Sequence, residues 1–242
     1  MMRRFVRFIA TLMIITGAGL LAWSALVWLW EDPFTGLYTR YEQRELSASY
    51  ERIEAAYRPR PSPPARASLA AERRLIALDA KRYRVSAERG AAIGRLRIPR
   101  LGLDMVVVNG TDASTLKRGP GRDPRTFMPG QGELVYVAGH RTTYSAPFSA
   151  IDKLRRGDRV TLRLPYATFV YRVVNHVVVP ATDLDRLKSQ GREILALQAC
   201  HPRFFASQRY IVYASPVELI PRGGATYRLP RDAAPVAAPV AP

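Results

Sequence analysis

The 242-residue sequence predicts a small, mostly β domain of closed-barrel type, carried behind an N-terminal membrane-spanning helix and a polar helical segment. Two observations predict it. No charged residue occurs from Phe8 to Trp30. Between Ile93 and Leu219, short runs rich in β-branched and aromatic residues alternate with Gly, Pro and Asp, the texture of strands joined by tight turns.

The N-terminal run is long enough for a bilayer: at about 1.5 Å per residue a helix over 8–30 rises about 35 Å. Arg3, Arg4 and Arg7 precede it, and Glu31 and Asp32 follow. A basic flank stays on the cytoplasmic side, so residues 1–7 are expected inside and everything after Trp30 outside, in a single-pass membrane protein. Trp28 and Trp30 fall where an interfacial aromatic belt would lie. A cleaved signal peptide is the competing reading. It would have a shorter apolar stretch and a small-residue cleavage site beyond it, whereas Ala22-Trp23-Ser24, the one candidate, lies inside the run.

Residues 31–90 are polar and rich in Arg and Glu. Leu37, Tyr41, Tyr50, Ile53 and Tyr57 approximate a helical stripe, with Glu54 and Arg58 as a favourable i,i+4 pair. Pro59, Pro61, Pro63 and Pro64 interrupt it. A second helix is expected over Ala67 to Arg84, with Leu69, Ile76 and Tyr83 at seven-residue steps. Both helices read as a solvated stalk, with a regulatory or docking element as the alternative.

In the body, residues 91–220, strands are expected at Arg95–Ile98, Met105–Val108, Leu134–Ala138, Arg159–Leu164, Thr168–Val179, Ile194–Ala199 and Tyr210–Leu219. Brief helices are expected at Asp112–Lys117, Ser149–Leu154 and Asp183–Leu187, with Asp112, Ser149 and Thr182 or Asp183 as N-caps. Thr168–Val179 is apolar on both faces at its centre, as in a closed or sandwiched sheet. Seven or eight short strands in such a length read as a small barrel. The tail, 221–242, is rich in Pro and Ala and is expected to be disordered.

Composition narrows the chemistry. Hydrophobic residues make up 48% of the chain, which excludes a wholly disordered one. Lys and Arg number 37 against 20 Asp and Glu, a formal charge of +17, which suits an anionic neighbour such as nucleic acid, lipid headgroups or a wall polymer. One cysteine, Cys200, excludes an intramolecular disulfide and a multi-cysteine zinc site. The three histidines, His140, His176 and His201, have poor metal spacing, so neither metal nor cofactor is expected.

Three residues are placed as an acyl-transfer site would place them. Cys200 ends the run Ile194–Ala199, His140 follows Leu134–Ala138 and one glycine, and Arg209 opens the last strand. A thiol nucleophile needs an acid or base nearby, and a tetrahedral intermediate needs a fixed positive donor. Arginine suits the second task because its guanidinium stays charged and presents several donors. A lone cysteine is more often inert, so a structural Cys200 stands beside this reading. His201 would face away from Cys200 if the strand runs on, because strand neighbours alternate. His176, in a valine-rich strand, reads as structural or surface. Arg203 competes with Arg209 but would sit in the loop after Cys200, and the other arginines read as solvated faces.

The local residues resemble those of sortases. Ala138-Gly139-His140-Arg141-Thr142-Thr143-Tyr144-Ser145-Ala146-Pro147-Phe148 is similar to the sortase histidine segment, particularly of class E. Leu197-Gln198-Ala199-Cys200-His201-Pro202-Arg203-Phe204 and Arg209-Tyr210-Ile211-Val212-Tyr213-Ala214 are similar to the cysteine and arginine segments. Gly119-Pro120-Gly121 and Leu154-Arg155-Arg156-Gly157-Asp158 belong to the same resemblance, which covers Ile93 to Leu219.

The resemblance implies an eight-stranded β-barrel cysteine transpeptidase on the outer face of the membrane. Such enzymes cleave an LPxTG-like or LAxTG-like sorting motif of a secreted protein between Thr and Gly. A thioacyl enzyme forms, and an amine, usually of a peptidoglycan precursor, resolves it. Cys200 would be the nucleophile, His140 the acid/base, and Arg209 the oxyanion or substrate-backbone donor. No nucleic-acid partner is implied. The chain departs from the family's Thr-Leu-x-Thr-Cys, having Ala196 and Ala199 at the two threonine positions. A papain-like protease is disfavoured by the order of His140 and Cys200, and an L,D-transpeptidase by the absence of Ser-x-Gly before the cysteine. A tethered, non-catalytic wall-binding module stays open at this point.

Overall fold

The computed structural model describes residues 2–29, 33–58 and 68–230. Helix α1, Met2–Leu29, contains a span over Met2–Ala25 long and apolar enough to cross a membrane, none of it buried against the rest of the chain. Helices α2, Pro33–Ala56, and α3, Leu69–Ser86, follow. The four prolines of 59–64 lie outside the described residues. Ser68 caps α3, its hydroxyl accepting from the Ala71 N–H at 3.3 Å.

The barrel consists of β1 (Ala92–Ile98), β2 (Leu103–Asn109), β3 (Gly121–Arg122), β4 (Leu134–Ala138), β5 (Arg159–Arg163), β6 (Ala167–Pro180), β7 (Ile194–His201) and β8 (Gln208–Pro221). Their order is β6-β5-β1-β2-β3-β4-β7-β8, and β8 pairs back onto β6 to close the sheet. Closure removes the free edges that an open sheet of short strands would leave. The β2–β3 and β4–β7 pairs are parallel and the rest antiparallel.

All seven strands expected from the sequence are present. The eighth, β3, has only two residues, too few to carry a periodicity. Asp112 caps a single-turn helix α4, Ala113–Leu116, accepting from the Thr115 N–H at 3.0 Å. The other two brief helices are 3₁₀ turns, Ile151–Lys153 and Leu184–Leu187. Asp183 caps the second, but Ala150 rather than Ser149 stands at the cap of the first, with no side-chain bond.

Helices α2 and α3 do not form a solvated stalk. Leu46 and Tyr50 of α2 are buried with Ala92, Val106 and Val108 on the outside of β1 and β2. Ile76, Ala80 and Tyr83 of α3 join the main core with Phe169, Leu164 and Tyr166. For α2 the reason is that β1 and β2 are apolar on their outer faces as well, whereas α3 adds its side chains to the main core itself; an apolar side chain of this size gains about 1.5–3 kcal/mol on full burial. Gln43 sews α2 to the barrel: its Nε2 donates to the carbonyls of Val106 (3.0 Å) and Arg118 (2.8 Å), and its Oε1 accepts from the Val106 N–H (2.8 Å).

The C-terminal tail is ordered further than expected. Tyr227–Arg228 form β9, paired with Leu219 and Glu218 of β8, and residues 231–242 lie outside the described ones.

Candidate active site

Alternation along β7 sorts its side chains into two sets. Leu195, Leu197 and Ala199 enter the main core with Val135, Val137, Val212 and Ala214. Ile194 and Ala196 point the other way, into a second apolar cluster with Tyr136, Val177, Val179, Ile211 and Tyr213. Cys200 is in phase with Ile194 and Ala196, and so belongs to this second face. It pairs directly with Arg209 on β8, which places the two side chains on the same side of the sheet, with Cβ atoms roughly 5 Å apart.

His140 reaches this face from the neighbouring strand. β4 runs parallel to β7 with Ala138 opposite Gln198, and the Gly139 N–H continues the ladder to the Gln198 carbonyl at 3.0 Å. A side chain at 139 is excluded, because a Cβ there would lie 2.7 Å from the Phe148 ring. The chain then folds back on itself: the Phe148 N–H donates to the His140 carbonyl (3.1 Å), and Phe148 is fully buried.

Cys200, His140 and Arg209 line one groove of about 250 Å³. Tyr136, Ala138, Gln198 and Ile211 line it as well, together with Leu184 and Leu187. Cys200 is half-buried. Nε2 of His140 is buried with no hydrogen-bond partner among the described residues. Burial, and secondarily the Lys117 ammonium, hold the His140 pKa below the usual histidine value, which favours the neutral imidazole, the form able to accept a proton. Arg209 is anchored by its own loop: one guanidinium nitrogen donates to the carbonyls of Ala206 (2.7 Å) and Gln208 (2.9 Å). Across the groove, burial would raise the Asp123 carboxyl, but hydrogen bonds from Arg125 outweigh it and hold the pKa below the usual range.

The competing residues lie elsewhere. Arg203 is exposed in the β7–β8 loop. His176 is exposed on β6, stacked at 5.1 Å on Tyr210. His201 is absent from the groove lining, and its Nδ1 lies 2.8 Å from a guanidinium nitrogen of Arg141.

Arg141 corrects the expectation that the remaining arginines form solvated faces. Its side chain is only 6% exposed. It donates to the Cys200 carbonyl (3.3 Å) and to Asp152 (2.8 Å) besides meeting His201. Because guanidinium only donates, the His201 Nδ1 must accept. Arg141 thereby ties the end of β7 to the loop that carries His140. Its position beside His140 was the one signal in the sequence.

The two alanines also acquire places. Ala196 is fully buried in the cluster beneath Cys200, and Ala199 is fully buried in the main core. Among the described residues, no cluster of three or more His, Cys, Asp or Glu is placed to hold a metal ion.

A closed eight-stranded barrel with a cysteine, a histidine and an arginine on one groove defines a narrow class of domain. The Sortase domain family model matches residues 96–217, half of the chain, and the chain belongs to that family. Sortase D of Bacillus subtilis (strain 168) is 33% identical over 134 residues, covering 54% of this chain and 66% of that protein. Sortase SrtE1 of Streptomyces coelicolor is 31% identical over 159 residues, covering 59% of this chain and 45% of that protein. The chain thus spans less than two thirds of either relative. A Sortase D5 transpeptidase of Clostridium perfringens shares the fold, with a TM-score of 0.58 at 22% identity over 73% of this chain and 99% of that one.

Proposed function

We propose that the protein is a membrane-anchored cysteine transpeptidase of the class E type. In this reading α1 anchors it with the N-terminus inside and the barrel outside. It cleaves an LAxTG-like or LPxTG-like sorting motif of a secreted protein between Thr and Gly, and transfers the acyl group to an amine of a peptidoglycan precursor. The observation that carries the reading is the groove shared by Cys200, His140 and Arg209.

The chemistry assigned to these groups is acyl transfer through a thioester. The Cys200 thiol passes its proton to the neutral His140 imidazole as sulfur attacks the Thr carbonyl carbon. Negative charge develops on that oxygen and is met by the Arg209 guanidinium. Collapse breaks the Thr–Gly bond, and the imidazolium returns the proton to the leaving glycine nitrogen. The incoming amine then attacks the thioester and gives up a proton to His140, and the thiol is released. Class E type rests on the histidine segment, since the relatives above include both a sortase D and a sortase E.

The test is incubation of the full chain in detergent with LAxTG and LPxTG peptides, with and without an amine, followed by mass spectrometry. An acyl adduct on Cys200 that the amine discharges is the expected result, with LAxTG the better substrate. Cys200→Ala should abolish adduct, cleavage and transfer together. Cleavage that survives in Cys200→Ala would eliminate the thiol mechanism.

A further inference from the structure

Helix α2 reaches the His140 loop as well as the barrel wall. The Thr35 hydroxyl accepts from the Tyr144 N–H at 2.9 Å, and the Ser145 hydroxyl donates to the Gly36 carbonyl at 3.2 Å. One helical turn on, the buried Thr39 hydroxyl donates to the Lys117 carbonyl at 2.8 Å. Positions i and i+4 share a helix face, so the two threonines grip two segments from one side.

Those segments flank His140. The Tyr144 ring lies 5.2 Å from the imidazole, tilted by 37°. The Lys117 ammonium stands 5.6 Å over the same tyrosine ring. Tyr144, Ser145 and Ala146 all have positive φ, at 54°, 56° and 33°. Non-glycine residues adopt that region at an energetic cost and persist there only where their surroundings hold them. The bonds from Thr35 and Gly36 supply that hold from α2, beside the loop's own Ala146 N–H to Thr143 carbonyl bond at 2.9 Å.

We propose that α2 is a positioning element of the active site, in which Thr35 and Thr39 hold Tyr144 and Lys117 around the His140 imidazole. The role assigned to His140 rests on the function proposed above, but the positioning does not depend on turnover. Only three residues separate the end of α1 at Leu29 from the start of α2 at Pro33. The helix that holds the histidine loop is therefore the one that continues from the membrane-spanning candidate.

The other titratable groups on the groove are Cys200, Arg209, Asp123, Arg125, Asp183 and Tyr136, with Thr111 and Gln198 as its neutral polar side chains, and all are left untouched by the test. The test is NMR titration of the histidine imidazoles in the full chain in detergent. With three histidines in the sequence, His140→Gln assigns the resonance. Lys117 is exposed, so Lys117→Gln is safe for folding. It should raise the His140 midpoint, because a like charge that disfavours the imidazolium is removed.

Thr35→Val and Thr39→Val should each displace the His140 ring resonances, which feel the tyrosine ring current, while His176 and His201 stay in place. Unmoved His140 resonances in both threonine variants would overturn the proposal, and so would equal displacement of all three histidines. A protein that shows the His140 response yet never acylates Cys200 would refute the proposed function and leave the positioning role standing.

Discussion

Cys200 and Arg209 on one side of the groove, and His140 on the other, are held by different devices. The first pair sits on adjacent strands in direct register, and the register continues through seven residue pairs from Leu195–Ala214 to His201–Gln208. Their relative placement is a property of the sheet. His140 lies two residues beyond its strand, on a segment that runs through three consecutive left-handed residues and is fastened by a helix more than a hundred positions upstream. A pair of side chains fixed by a ladder will survive small perturbations that displace a loop.

Substitutions can break that comparison. The largest effect after loss of the thiol is expected from Arg209→Lys, which keeps the charge and the strand but loses the planar fork. One guanidinium nitrogen already serves the carbonyls of Ala206 and Gln208, and an ammonium offers no fixed second donor to the substrate. Peptide-transfer rates should fall by about 10²–10³-fold, the usual cost of an oxyanion donor, with unchanged thermal stability. Arg203→Lys, in the exposed loop, should be mild by comparison. Near-normal rates for Arg209→Lys with a collapse for Arg203→Lys would move the role to Arg203.

Arg141→Met addresses the link between the two devices. It leaves the Cys200 carbonyl and the His201 ring without their guanidinium partner, so denaturant unfolding should show a loss of about 1–3 kcal/mol. Activity should fall with it, since the end of β7 and the His140 loop are no longer tied. An unaltered unfolding midpoint would mean that Arg141 is ornamental to both.

How much of this was legible in the sequence follows from the same contrast. Strand registers leave an alternating apolar trace, and β4, β6, β7 and β8 were readable with Cys200 and Arg209 at their ends. His140 was readable too, because it follows β4 closely. The supports around it were not. Of the expected α2 stripe, Tyr50, Ile53 and Tyr57 do face the barrel, but its N-terminal half faces it through Thr39 and Gln43, which are polar, while Leu37 and Tyr41 are 65% and 62% exposed. Arg141 was hidden because arginine is ordinarily a surface residue. The contacts from Thr35 and Thr39 join segments 109 and 78 positions apart, and no local pattern records such a pairing.

Hydrogen–deuterium exchange of individual amides in Thr35→Val tests the two-device account most directly. The Tyr144 N–H donates to the Thr35 hydroxyl, whereas the amides of β7 and β8 are spent in the barrel ladder. Exchange at Tyr144 should accelerate by about five- to tenfold, as loss of a bond worth about 1–1.4 kcal/mol allows, with no change along Leu195–Cys200 and Arg209–Ala214. An unchanged rate at Tyr144, or an equal acceleration along both strands, would contradict the claim that the histidine side of the groove is held by α2 and the cysteine side by the sheet.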